Sequence, residues 1–99
     1  MTRWVKAIAV DAIEPGACCV VRVEGLELAL ARVGSGVYAL DNVCPHAGGS
    51  IGDGYVVRGV IHCSFHDWPF ELATGAGPEG ECVKTYPARI ADGWIEVEL

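Results

Sequence analysis

The chain has 99 residues, of which 52% are hydrophobic and 20% are charged, and its formal net charge is −6. This length supports one domain, and the high apolar content argues against a disordered chain. The negative charge disfavours nucleic acids and anionic membrane surfaces as partners, because both are bound through basic patches.

The N-terminal part of the chain predicts short strands separated by turns that contain glycine or proline. The strands are expected over residues 4–9, 18–23, 26–33 and 37–41. One helical turn is expected over residues 11–14, before Pro15 ends it. In the third strand Leu28 and its leucine neighbours alternate with Glu27 and Ala29, which predicts one buried and one exposed face.

The C-terminal part continues the same pattern of short strands and turns. Its strands are expected over residues 55–57, 60–62, 70–72, 83–86 and 94–99. The first two of them can pair across the Arg58-Gly59 turn. Many short strands at regular spacing predict an all-β fold, either an antiparallel sandwich or a small barrel.

Targeting signals and cysteine usage bear on the compartment. The first ten residues lack the apolar core of a signal peptide. No segment reaches the roughly 18 apolar residues that a membrane helix needs. The cysteine count is five, and an odd number argues against a closed disulfide framework. We therefore expect a soluble, cytoplasmic protein without membrane contact, whose cysteines and histidines bind metal.

Two predicted loops carry the residues with metal chemistry. The first contains Cys44-Pro45-His46 and the second Cys63-Ser64-Phe65-His66, with sixteen residues between His46 and Cys63. Each loop offers one thiolate and one imidazole. Such a set can hold a [2Fe–2S] cluster, with two cysteines on one iron and two histidines on the other. A tetrahedral zinc ion is the alternative, but structural zinc sites usually begin with two cysteines in one loop.

These motifs resemble the C-x-H and C-x-x-H motifs of the Rieske [2Fe–2S] family. The similarity covers nearly the whole chain, through the segments 41–46, 52–54, 66–75, 85–87 and 92–93. It implies a single Rieske domain over residues 1–99, with a two-loop cluster-binding subdomain at about 43–69. It also implies that Cys44, His46, Cys63 and His66 bind one cluster, and that the outer edges of both histidines form the electron exit and docking point.

The resemblance is to ferredoxins of ring-hydroxylating dioxygenase systems. It implies a monomeric one-electron carrier that takes electrons from an NAD(P)H-dependent flavoprotein reductase and passes them to a terminal oxygenase. The second loop also resembles the small subunit of NAD(P)H-dependent nitrite reductase, where the partner would be the large subunit. A zinc-stabilised interaction module is the non-redox alternative. A complete oxygenase is disfavoured because its mononuclear iron needs two further histidines, and the chain has three in all.

Four positions indicate which kind of Rieske centre to expect. Proteins resembling the respiratory-complex type carry a disulfide at the positions of Gly49 and Phe65. The same type places hydroxyl groups near cluster sulfur at the positions of Trp68 and Phe70. Hydrogen bonds to sulfur stabilise the reduced cluster, so their loss lowers the reduction potential. The expected potential is below about 0 mV, in the lower part of the Rieske range.

The remaining cysteines and the third histidine are expected to be structural. Cys18, Cys19 and Cys82 are expected to behave as small buried apolar residues. His62 precedes Cys63 in a strand, so its side chain should point the opposite way. Asp67 is expected to cap a turn in the second loop, the alternative being that it shapes an acidic surface near the cluster.

Overall fold

The computed structural model describes residues 2–45 and 48–99. Ten strands, each antiparallel to its neighbours, make up the fold. The strands are β1 (Trp4–Ala9), β2 (Cys18–Val23), β3 (Leu26–Val33), β4 (Gly36–Asp41), β5 (Tyr55–Val57), β6 (Val60–His62), β7 (Pro69–Glu71), β8 (Thr85–Tyr86), β9 (Ala88–Ala91) and β10 (Trp94–Glu98). A single 3₁₀ turn (Val10–Ala12) follows β1. The prediction of an antiparallel all-β fold is confirmed.

The strands form three sheets, in the orders β1-β10-β9, β2-β3-β4-β8 and β5-β6-β7. The first two sheets share one hydrophobic core, which we call the base core. Its buried members are Ile13, Val23, Leu28, Leu30, Val37, Ala39, Ile95 and Val97. The third sheet lies in the segment between β4 and β8, and this segment contains both predicted ligand loops.

Strand β3 separates the base core from a second core and is buried on both faces. Leu28 and Leu30 belong to the base core, whereas Ala29 and Ala31 belong to the second core. The predicted exposed face of this strand is therefore wrong for Ala29. A strand with sheets or loops on both sides needs no polar face, and small alanines let the second layer approach closely.

The second core, which we call the site core, contains the two motif cysteines. Its buried members are Ala29, Ala31, Leu40, Cys44, Ile51, Ile61, Cys63, Phe70, Leu72 and Val83. They come from β3, β4, β6 and β7 and from the segments between the strands. The motif cysteines are thus part of a packed apolar interior.

The segment that contains the third sheet, residues 42–83, begins and ends where β4 pairs with β8. The Asp41 N–H donates to the Lys84 carbonyl over 2.9 Å. The Tyr86 hydroxyl donates to the Asp41 carboxylate over 2.6 Å. Ladder pairs between β4 and β8, such as Leu40 with Thr85, extend this connection. Residues 42–83 therefore leave the sandwich and return to it through a narrow neck.

Several boundaries differ from the predicted ones. Strand β9 was not predicted, because Pro87 and Asp92-Gly93 leave only four residues between them. Strand β7 begins at Pro69 rather than Phe70, and β8 is restricted to Thr85–Tyr86. In the described part of the chain, no helix is long and apolar enough to cross a membrane.

Candidate iron–sulfur site

The first loop, residues 42–54, connects β4 to β5 and is closed by its own backbone. Val43 and Ser50 form an isolated antiparallel bridge. The Cys44 N–H donates to the Gly49 carbonyl over 2.9 Å, and the Gly48 N–H donates to the Cys44 carbonyl over 2.7 Å. These bonds fold the loop back on itself at Cys44. His46 and Ala47 lie outside the described residues.

The second loop, residues 63–68, connects β6 to β7 as a tight hairpin. The Cys63 N–H donates to the Trp68 carbonyl over 2.8 Å. At the tip His66 and Asp67 have φ values of 66° and 56°. Two successive left-handed residues are typical of the turns that match strand twist, although side chains there cost about 1–3 kcal/mol each. His66 is thus held at the tip by the hairpin geometry.

The two motif cysteines meet beneath the loops. Cys44 is 1% exposed and Cys63 is 0% exposed, and neither forms a disulfide. Burial raises the pKa of the Cys63 thiol, and the hydrogen bond and charge of the neighbouring Cys44 sulfur raise it as well. The Phe65 N–H donates to Cys63 Sγ over 3.4 Å and acts in the opposite direction. Two adjacent thiols that are shielded from water and receive an N–H bond are suited to bind a metal, which keeps their sulfurs deprotonated.

Gly49 and Phe65 lie against each other where the loops meet. A Cβ atom added to Gly49 would lie 2.6 Å from Phe65 Cβ and 3.0 Å from Cys63 Sγ. A larger residue at position 49 would therefore push both the aromatic ring and the sulfur away. Proteins resembling the respiratory-complex type carry a disulfide at these two positions, whereas here Gly49 and Phe65 pack directly against each other.

His62 and Tyr55 support the second loop from the side. Their rings stack with centroids 4.7 Å apart and an interplanar angle of 8°. His62 Nδ1 donates to the Asp67 carbonyl over 3.1 Å. Desolvation and the Asp67 carboxylate raise the pKa of Tyr55. The predicted structural role of His62 is confirmed by these contacts, and the Tyr55 and Asp67 side chains add a further link to the turn.

Trp68 and Phe70 occupy the positions where a high-potential centre would carry hydroxyl groups. The indole Nε1–H of Trp68 donates to the Glu81 carboxylate over 3.0 Å. Phe70 is fully buried in the site core and has no polar atom to offer. Trp68 is partly buried and packs against the same core.

The three other cysteines lie outside the two ligand motifs, although Cys18 Sγ donates to the Gly54 carbonyl at the end of the first loop over 3.4 Å. Cys18 packs against the site core and Cys19 against the base core, and both are half-buried. Cys82 is exposed, so the prediction that it is a buried apolar residue is wrong. The reason is the alternation of an extended segment, since its neighbour Val83 takes the inward position.

A buried polar residue also contributes to the site, and the sequence analysis did not single it out. Asn42 is 2% exposed and begins the first loop. Its amide donates to Glu27 Oε1 over 2.8 Å and to Ser50 Oγ over 2.9 Å, and it accepts from the Gly52 N–H over 2.6 Å. The signal in the sequence was a polar residue two positions before a motif cysteine.

The residues present fit an iron–sulfur centre. Within residues 2–45 and 48–99, no three His, Cys, Asp or Glu side chains converge on one metal position. A [2Fe–2S] cluster with mixed ligands needs only a cysteine pair on one iron and a histidine pair on the other. The buried cysteine pair meets the first requirement. A buried, unbridged thiol pair in an all-β fold fits the class of iron–sulfur electron-transfer domains.

Comparison with known proteins identifies the family within this class. The family model described as the Rieske [2Fe-2S] domain matches residues 3–89. The naphthalene 1,2-dioxygenase system ferredoxin component of Pseudomonas putida is 36% identical over 100 residues, covering 98% of this chain and 96% of that protein. The chain belongs to the Rieske [2Fe–2S] domain family. Its cofactor is a Rieske-type [2Fe–2S] cluster, and it is an electron carrier rather than an enzyme.

Two solved structures show how closely the fold agrees. A chain in the complex of reduced oxygenase and oxidized ferredoxin in carbazole 1,9a-dioxygenase has a TM-score of 0.82 and 31% identity, with 95% of this chain and 91% of that chain covered. A Mycobacterium tuberculosis protein described as an NADH-dependent nitrite reductase small subunit has a TM-score of 0.87 and 29% identity, with 100% and 96% covered.

Proposed function

We propose that Cys44 and Cys63 bind one iron of the cluster and that His46 and His66 bind the other, within a single domain over residues 1–99. The observation that carries this proposal is the buried, unbridged pair of motif cysteines beneath the hairpin that holds His66. When bound, the cluster supplies reversible one-electron transfer. The chain itself excludes water from the two sulfurs and presents the histidine side of the second loop outward.

We propose that the carrier connects a flavoprotein reductase to a terminal oxygenase. The naphthalene dioxygenase ferredoxin component and the carbazole dioxygenase complex support an oxygenase as the acceptor. A carrier of this kind needs no substrate pocket, because its surface only has to bring the cluster close to a partner's redox centre. A monomer suits this role, since both partners must reach the same end of the molecule in turn.

The surface around the loops supports docking of a partner protein. Val43 is 60% exposed and Phe65 is 49% exposed, and they belong to different loops. Exposed apolar side chains next to a redox centre favour close contact once a partner has arrived. Docking at this end of the molecule would bring a partner close to His66.

The net negative charge of residues 42–83 supports docking to a partner with a basic surface. Residues 42–83 contain five carboxylates and one cation, Arg58, whereas the rest of the chain has eight carboxylates and six cations. The excess negative charge is thus concentrated in the part of the chain that holds the cluster. Such a field raises the rate at which a partner with a positive surface associates, and the effect weakens with salt.

A small subunit of nitrite reductase is the second candidate, favoured by the structure that this chain matches over its full length. There the domain would stay bound to a large subunit. Purification from the native cell separates the two functions. A free carrier that a separate reductase can reduce supports the ferredoxin, and constant co-purification with a large sirohaem protein supports the subunit.

Metal analysis and reduced-state pulsed EPR test the cluster assignment. We expect two iron and two acid-labile sulfide per chain. We also expect nitrogen hyperfine couplings from two imidazole ligands, one of which is lost in His66→Ala. One zinc per chain and no labile sulfide would instead support the zinc-stabilised interaction module.

We also propose that the protein works in the cytoplasm. None of the five cysteines forms a disulfide, including the exposed Cys82. Free surface thiols are typical of a reducing compartment. Fractionation of the native cell, followed by detection of the protein in each fraction, tests this location.

A further inference from the structure

Asn42 has every hydrogen-bonding group of its side chain satisfied inside the protein. An amide side chain carries two N–H donors and one carbonyl acceptor. Both donors are used, on Glu27 Oε1 and Ser50 Oγ, and the carbonyl accepts from the Gly52 N–H. The opposite amide orientation would place an NH₂ group against the Gly52 N–H, so these partners fix the orientation. Only a residue with this mixture of groups can serve all three partners.

The backbone of Asn42 adds two further bonds at the same place. Its N–H donates to the Glu27 carbonyl over 3.2 Å, which prolongs the β3–β4 ladder by one residue. Its carbonyl accepts from the Ile51 N–H over 2.9 Å. Asn42 therefore ties the start of the first loop to β3 on one side and to the end of the same loop on the other.

Ser50 carries this connection across to the second loop. Its side-chain oxygen accepts from Asn42, and its backbone carbonyl accepts from both the N–H and the hydroxyl of Ser64, over 3.3 Å and 2.7 Å. Ser64 follows Cys63 directly in the chain. The network thus runs from β3 through Asn42 and Ser50 to the residue next to the second motif cysteine.

We propose that Asn42 is a positioning residue for the cluster, because its bond to Ser50 holds the part of the first loop that accepts from Ser64 of the second loop. Each motif cysteine lies on one of the two loops that this network joins, so the network restricts the separation of their sulfurs. This inference rests on the proposed ligand assignment. Buried polar networks whose members are all satisfied restrict a protein to one arrangement, whereas a broken network leaves costly unpaired groups.

The test compares Asn42→Asp with the wild-type protein. The aspartate has the same shape but removes both donors and places a second carboxylate beside Glu27. We expect altered g-values and visible circular dichroism of the cluster. We also expect iron release to a chelator to be about tenfold faster, at the low end of the effects that residues supporting metal ligands have on affinity. Ser50→Ala keeps the backbone carbonyl, so it should give a smaller change in the same direction.

Val97→Ala is the matched control for a general loss of stability. Val97 is fully buried in the base core, away from the loops. It should lower the urea midpoint while leaving the g-values unchanged. The positioning role is overturned if Asn42→Asp and Ser50→Ala both give wild-type g-values and the iron release rate of the control at equal stability. If Asn42→Asp does not fold, Ser50→Ala alone decides between these outcomes.

The wild-type measurement separates this inference from the ligand assignment. A wild-type spectrum with two imidazole couplings, together with variants that match the control, overturns only the role of Asn42. A wild-type protein that contains no iron and no labile sulfide overturns both proposals.

Discussion

Gly49 and Phe65 touch across the two loops, so closely that a Cβ atom on Gly49 would lie 2.6 Å from Phe65 Cβ. The contact involves main-chain and Cβ positions, so a change of rotamer cannot relieve it. The packing of one loop on the other consequently depends on the absence of a side chain at position 49.

We therefore expect Gly49→Ala to lower the amount of cluster bound per chain. The added methyl group would displace either Phe65 or Cys63 Sγ, and tight overpacking of this kind costs about 1–3 kcal/mol. Iron and labile sulfide per chain are the measurements. Gly36→Ala is the control, because its added Cβ would meet its nearest atom at 3.5 Å, an ordinary contact. Equal cluster content in both variants would contradict the prediction.

The reduction potential is expected to lie below about 0 mV, in the lower part of the Rieske range. The structure strengthens the reason, because Phe70 carries no donor and the Trp68 N–H is directed to the Glu81 carboxylate. The Phe65 N–H remains as a donor to Cys63 Sγ. A redox titration followed by visible absorption measures the potential, and a midpoint near +300 mV, at the top of the range, would contradict the argument.

Cys82→Ser should leave the cluster intact. Cys82 is exposed, and its Sγ lies 3.7 Å from the Thr74 carbonyl and 3.8 Å from the Val83 carbonyl. The visible and EPR spectra of the variant should match those of the wild-type protein. Cys63→Ser is the comparison, and it should lose the native spectrum. Loss of the cluster in Cys82→Ser would show that the fifth thiol has been misassigned.

The stability of the protein should depend on Tyr86 at high pH. Burial and the hydrogen bond to Asp41 raise the pKa of Tyr86 to about 12, from a usual value of about 10. The folded protein keeps this proton at pH values where the unfolded chain releases it. The stabilisation is therefore complete below pH about 10 and is lost as the pH rises through about 12.

Urea denaturation at pH values from about 9 to about 11.5 measures this effect, because the unfolded chain releases the Tyr86 proton over this range. The difference in unfolding free energy between the wild-type protein and Tyr86→Phe should shrink with rising pH. Other groups titrate equally in both proteins, so they do not contribute to the difference. A difference that stays constant over the window would mean that the Tyr86–Asp41 bond has no pH-dependent effect.

The sequence predicted most of the strands because their turns are marked by local chemistry. Gly25, Arg58-Gly59 and Asp92-Gly93 adopt positive φ values where hairpins turn, and such residues identify turns without tertiary information. The ligand motifs were recognisable for a similar reason, since both lie within short segments. The bounds of the predicted strands therefore agree with the observed ones to within two residues, whereas β9 was not predicted.

Long-range packing accounts for what the sequence did not predict. The burial of Ala29 and Ala31 depends on a layer formed by residues far along the chain. The exposure of Cys82 depends on which face of its segment Val83 occupies. The role of Asn42 depends on Glu27 and Ser50, which come together only in the folded protein. None of these relationships leaves a periodic signal in the sequence.

Residues 42–83, which begin and end beside the bond between Asp41 and Lys84, form a cassette that can be exchanged between related proteins. Both ends of residues 42–83 lie beside this hydrogen-bonded pair, and the cassette packs on β3 and β4 through the site core. A chimera could exchange this cassette between family members while keeping the seven strands outside it. The midpoint potential of such a chimera should follow the donor of the cassette, and its resistance to unfolding should depend on how well the cassette packs on Ala29, Ala31 and Leu40 of the sandwich.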